Sequence, residues 1–72
     1  MNTRYSLFIQ WSGEDQLYLV TIPEFSEIAI QPCTYGRTYE NAIANAQEAI
    51  AEYLEYCQEE GITPPSPVLV AA

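Results

Sequence analysis

The sequence predicts an α+β domain of order β-β-β-α-β, an antiparallel sheet covered on one face by a single long helix. Three observations carry that expectation. The first third of the chain alternates with period two, a long amphipathic segment follows between a cap and a glycine–proline stop, and a short apolar run comes after it. At 72 residues there is room for one core, so residues 1–72 are expected to form a single domain. Nearly half the residues are apolar and Tyr is the dominant aromatic, a globular composition.

Residues 5–11 place Tyr5, Leu7, Ile9 and Trp11 on one side and Ser6, Phe8 and Gln10 on the other, the alternation of a strand. Ser12, Gly13, Glu14 and Asp15 supply turn chemistry, and residues 17–22 resume as the second strand of an antiparallel hairpin. Pro23 cannot donate to a ladder and ends it. Ile28, Ala29 and Ile30 start a third extended segment, which Pro32 confines to a sheet edge or a bulge and which ends near Gly36.

Residues 38–60 read as the helix. The Thr38 hydroxyl can accept from a free first-turn amide, and Glu40 complements the positive end of the helix dipole. Gly61 suits the left-handed position after the last turn, and Pro64 and Pro65 forbid continuation. Tyr39, Ala42, Ile43, Ala46, Ile50, Tyr53, Leu54 and Cys57 share one face. At about 100° per residue, Glu48, Glu52, Glu55 and Glu59 form a narrow stripe opposite it. Residues 68–70 offer a short fourth strand.

Strand two is apolar on both faces, with Leu17 and Leu19 opposing Tyr18, Val20 and Ile22, while Phe8 and Trp11 face opposite ways. One helix covers only one face, so the other is expected to be an interface. A homo-oligomer is therefore expected, a dimer being the commonest closed form.

Charge narrows the function classes. Ten acidic residues stand against Arg4 and Arg37, with no Lys or His, giving a net charge of −8. Such a body repels phosphate and acidic lipid, which argues against direct nucleic-acid or membrane binding, and attracts a basic protein. No leader-like or membrane-spanning run is visible, so a cytoplasmic location is expected. The missing His removes the commonest general base and metal ligand. Cys57 reads as a small core residue, and Cys33 has only Arg37 nearby to lower its pKa. Two-metal hydrolysis needs converging carboxylates, whereas Asp15, Glu24 and Glu27 fall in turns or loops. The expectation is no enzyme, no catalytic or metal site and no cofactor. The stripe of Glu48, Glu52, Glu55 and Glu59 is the candidate partner-binding surface. A helix face kept merely solvated would more often mix signs to gain i,i+4 pairs.

Several segments resemble the HicB-like antitoxin family. They are the hairpin from Ile9 to Val20, the turn Pro23-Glu24-Phe25, the helix entry Gly36-Arg37-Thr38-Tyr39-Glu40-Asn41-Ala42 with Asn45-Ala46-Gln47-Glu48-Ala49-Ile50, and the exit Glu59-Glu60-Gly61 with its prolines. The resemblance spans essentially the whole chain and is most specific at residues 36–50. Where the family has Pro-Gly-Cys and a short link, this chain has Ser26-Glu27-Ile28 and a longer stretch to Gly36, and no appended DNA-binding domain is expected. The resemblance implies a degenerate RNase H-like domain that binds and neutralises a small basic HicA-type mRNA-cleaving toxin. The alternative is an orphan structural or interaction domain with a non-toxin protein partner.

Overall fold

A computed structural model describes residues 4–68. Strands β1 (Phe8–Ser12) and β2 (Leu17–Thr21) form the expected antiparallel hairpin, with Ile9 opposite Val20 and Trp11 opposite Tyr18, but β1 starts three residues later than expected and β2 ends one residue earlier. Its turn is closed by a Gln16 amide that donates to the Ser12 carbonyl at 2.8 Å. Asp15 accepts from the Ser12 hydroxyl at 3.1 Å. A short 3-10 turn, Pro23–Phe25, follows with proline at its start. Strand β3 (Thr34–Gly36) pairs antiparallel with β2, so among the described residues the sheet order is β1-β2-β3, with β3 at an edge. Helix α1 (Tyr39–Glu60) completes the α+β arrangement.

The third strand starts later than expected. Residues 28–30 are not extended. The Ile28 and Ala29 amides both donate to the Phe25 carbonyl, at 3.1 and 2.9 Å, and close a turn. The rung that a longer third strand would give Ile22 comes from a side chain. The Gln31 carboxamide donates to the Ile22 carbonyl at 2.8 Å and accepts from its amide at 3.3 Å. Ile22 is fully buried, so its backbone groups need such partners. Ile30, freed from the sheet, is 91% exposed. Of the fourth strand expected at residues 68–70, residues 69 and 70 lie outside the described residues. Val68 pairs with no strand among the described residues and donates its amide to Glu24 at 2.9 Å.

Helix α1 is bounded as its sequence dictates. The Thr38 hydroxyl accepts from the Asn41 amide, and Gly61 adopts φ 67°, the left-handed geometry that a side chain would strain. Its buried side chains are Ala42, Ala46, Ile50 and Cys57, with Tyr53 and Leu54 packed beside them. Tyr39 and Ile43, expected on the same face, are 60% and 39% exposed, since they lie at the margin of the sheet. Tyr39 stacks on Tyr18, with ring centroids 4.4 Å apart.

The core joins Tyr5, Val20, Ile22 and Phe25 to Ala42, Ala46 and Ile50 of the helix. Gly36 is where helix and sheet come closest. A Cβ there would lie 2.8 Å from the Asn41 carbonyl carbon and nearer still to the Ala42 backbone. Residues directly opposite across strands share a face. Ile9, Trp11, Tyr18, Val20, Thr34 and Gly36 therefore turn toward α1. Phe8, Gln10, Leu17, Leu19 and Tyr35 turn away from it, giving the two-sided sheet that the sequence predicts.

Candidate functional site

The acidic ridge is built by helix geometry alone. Glu48, Glu52, Glu55 and Glu59 stand at i, i+4, i+7 and i+11, one side of a helix whose other side is fixed by Ala46, Ile50 and Cys57 in the core. All four glutamates are exposed. No basic residue occurs in α1, so the like-charge pairs 48–52 and 55–59 go uncompensated along it. Glu59 and Glu60 also sit at the negative end of the helix dipole, where cations are favoured.

The ridge has a feature that sequence patterning does not reveal. Its first half borders an open groove with Cys33 and Thr34 on one wall and Asn45, Glu48, Ala49 and Glu52 on the other. Two contacts make this groove. The close approach of Gly36 to the Ala42 backbone brings the start of α1 against β3. The Asn45 amide then donates to the Tyr35 carbonyl at 2.7 Å and ties helix to edge strand. Ala49, with its small side chain, leaves space between the two carboxylates and the strand. The groove therefore offers negative charge at its lip and a neutral floor, which suits an inserted Arg or Lys side chain.

Cys33 lines that groove with a partly buried thiol. Burial pushes its thiol above the ordinary value, against opposing hydrogen bonds from the Ile22 and Cys33 backbone. Its Sγ lies 3.7 Å from the Val20 carbonyl. The protonated thiol is the weaker nucleophile. Cys57 is buried under the helix, as the sequence predicts.

The remaining acidic side chains are dispersed. Asp15 is held at the hairpin turn by Ser12. Glu24 is engaged in the fold. Its carboxylate accepts from the Ser6 amide at 3.0 and 3.1 Å, the Ser6 hydroxyl at 3.1 Å and the Val68 amide at 2.9 Å. Desolvation works to raise its pKa, but hydrogen bonds from Val68, Ser6 and its own amide outweigh that and hold it below the ordinary value. Beside it the Tyr5 hydroxyl donates to the Pro65 carbonyl at 2.6 Å. Burial first, then the electrostatic influence of its neighbours, Glu24 among them, raises that phenol above its usual pKa. Among the described residues, no group of three or more His, Cys, Asp or Glu side chains is placed to hold a metal ion. No helix among them is long and apolar enough to cross a membrane.

Comparison with protein-family models, with curated proteins and with solved structures finds no match.

Proposed function

We propose that this chain is a HicB-like antitoxin module, a small acidic protein that binds a compact basic partner and neutralises it. The partner is an mRNA-cleaving toxin of HicA type. One observation carries the reading: Glu48, Glu52, Glu55 and Glu59 are all exposed along one side of a helix that has no cation of its own. A ribonuclease must be cationic enough to approach phosphate, and an acidic ridge competes for the same field. The groove at Glu48 and Glu52 adds a place for one basic side chain of that partner to insert beside β3.

Support for the family comes from the sequence segments that resemble it. The degenerate RNase H-like fold is part of the same proposal and builds on the α+β pairing of a three-stranded sheet with one long helix. The chain contributes no chemistry of its own in this account. Its role is to occupy the toxin's cationic surface, in the cytoplasm where messenger RNA is cleaved.

The test is capture from the native host followed by reconstitution. The reading predicts a small basic protein that cleaves RNA when alone and is silenced by one equivalent of this chain. A captured partner without RNA-cleaving activity would replace the toxin reading with the orphan interaction domain.

A further inference from the structure

We infer that the sheet face turned away from α1 is the surface on which two copies of this chain associate, and that it is separate from the surface that meets a basic partner. The inference is independent of the toxin reading. Phe8 and Tyr35 on that face are 55% and 58% exposed, and Leu17 and Leu19 on the central strand β2 are half-buried. Leu19 stands opposite both Gln10 and Tyr35, and Phe8 stands opposite Thr21, so the apolar side chains run diagonally across all three strands.

Charge decides the occupant. The residues facing this way on the three strands are Phe8, Gln10, Ser12, Leu17, Leu19, Thr21 and Tyr35, none of them ionised. All ten carboxylates of the chain lie elsewhere: in the hairpin turn, around the 3-10 turn and along α1. A basic partner seated here would bury its cations with nothing to pair them, at a cost of several kcal/mol per ion. A second copy buries only neutral side chains.

Like-charged bodies can still meet at this face because their helices point apart. Packed sheets lie about 10 Å from each other and each α1 sits a further layer out, so the two ridges are separated by more than the ~8 Å Debye length at physiological salt. Two-fold pairing is self-complementary and closes the assembly at a dimer.

The two surfaces respond to salt in opposite ways, which makes the proposal testable without a variant. Three short strands give a face at the small end of specific interfaces, so sedimentation equilibrium belongs at tens to hundreds of micromolar. The wild-type chain should reach twice the monomer mass there. Raising salt from about 50 to 500 mM should tighten the dimer severalfold by screening the net repulsion. Phe8→Glu and Tyr35→Glu, both at exposed positions, should each weaken it tenfold or more while circular dichroism stays unchanged. The variant with all four ridge glutamates replaced by glutamine should keep dimerising. A wild-type monomer at 200 micromolar would overturn the proposal. So would a dimer loosened by salt, or one untouched by both Phe8→Glu and Tyr35→Glu.

Discussion

Replacing Glu24 by glutamine keeps the length of the side chain and removes its charge, and the structure says what that should cost. The carboxylate gathers two amides and a hydroxyl, Ser6 from the N-terminal segment and Val68 from the C-terminal one. Glutamine offers one acceptor oxygen and turns an NH2 toward donors, so at least one amide loses its partner. Hydrogen bonds to a charged group are each worth about 1.5–3 kcal/mol, and partial exposure lets water replace some of that, leaving a net loss of about 1–2 kcal/mol. For a domain of this size each kcal/mol moves Tm by about 4–8 °C, so Glu24→Gln should melt roughly 5–15 °C lower at neutral pH. The pH dependence follows from the sign of the shift. The folded pKa of Glu24 lies below its ordinary 4.5, so its stabilisation is complete above that value and disappears as pH falls through the folded pKa. Glutamine does not titrate, so the gap between wild type and variant should be constant from pH 6 to 8 and close on acidification below 4.5. Thermal melts at one fixed low concentration give this directly, since self-association would otherwise raise Tm by mass action. No gap at neutral pH, or one that persists undiminished to pH 3, would refute the clamp.

Three further outcomes follow from the packing and the ridge. Gly36→Ala must push α1 away from β3, because the new Cβ meets backbone atoms. Overpacking of this kind costs about 1–3 kcal/mol, to be read as a lower urea midpoint. Gln31→Ala takes the side-chain acceptor from the amide of the fully buried Ile22, while the Ile22 carbonyl keeps the Phe25 amide, and should cost about 1–3 kcal/mol, with faster amide exchange at Ile22 marking the site. Replacing Glu48, Glu52, Glu55 and Glu59 together by glutamine should raise Tm at low salt. Each like-charge neighbour pair it removes costs about 0.2–0.5 kcal/mol, and the gain should shrink as salt is added.

What the sequence discloses and what it conceals divide along physical lines. The hairpin is legible because alternation between Phe8 and Ser12 and between Leu17 and Thr21 is the direct imprint of a pleated ladder. Helix α1 is legible from its caps, Thr38 and Gly61, and from the opposition of Ala46, Ile50 and Cys57 to the glutamates. Residues 28–30 mislead because the β-branched Ile28 and Ile30 resemble a strand wherever they stand. Whether they join a ladder depends on a free partner, and the Gln31 amide has already met Ile22. A side chain that stands in for a strand leaves no periodic trace.

The candidate site divides in the same way. The ridge is read from spacing alone, since helix geometry places its residues. The groove beside Glu48 and Glu52 depends on how closely α1 approaches β3, which is set by Gly36 and Asn45 across the chain fold. A small-residue pair such as Gly36 and Ala42 hints at close approach, but not at which strand edge it opens onto. Glu24 shows the same limit. In sequence it is a loop carboxylate, and only the arrival of Ser6 and Val68 makes it part of the fold.

The account rests on the ridge as the surface that meets a basic partner, and association kinetics with the captured partner test it most directly. Stopped-flow or surface binding would compare the wild type with the variant bearing glutamine at residues 48, 52, 55 and 59, across a range of salt. Exposed charges of this kind contribute about 0.2–1 kcal/mol each and act mainly on encounter. The ridge predicts that the variant associates roughly tenfold or more slowly at low salt, with a flatter salt dependence and nearly unchanged dissociation. Association as fast and as salt-sensitive as wild type would show the ridge to be a solvated helix face with no part in recognition.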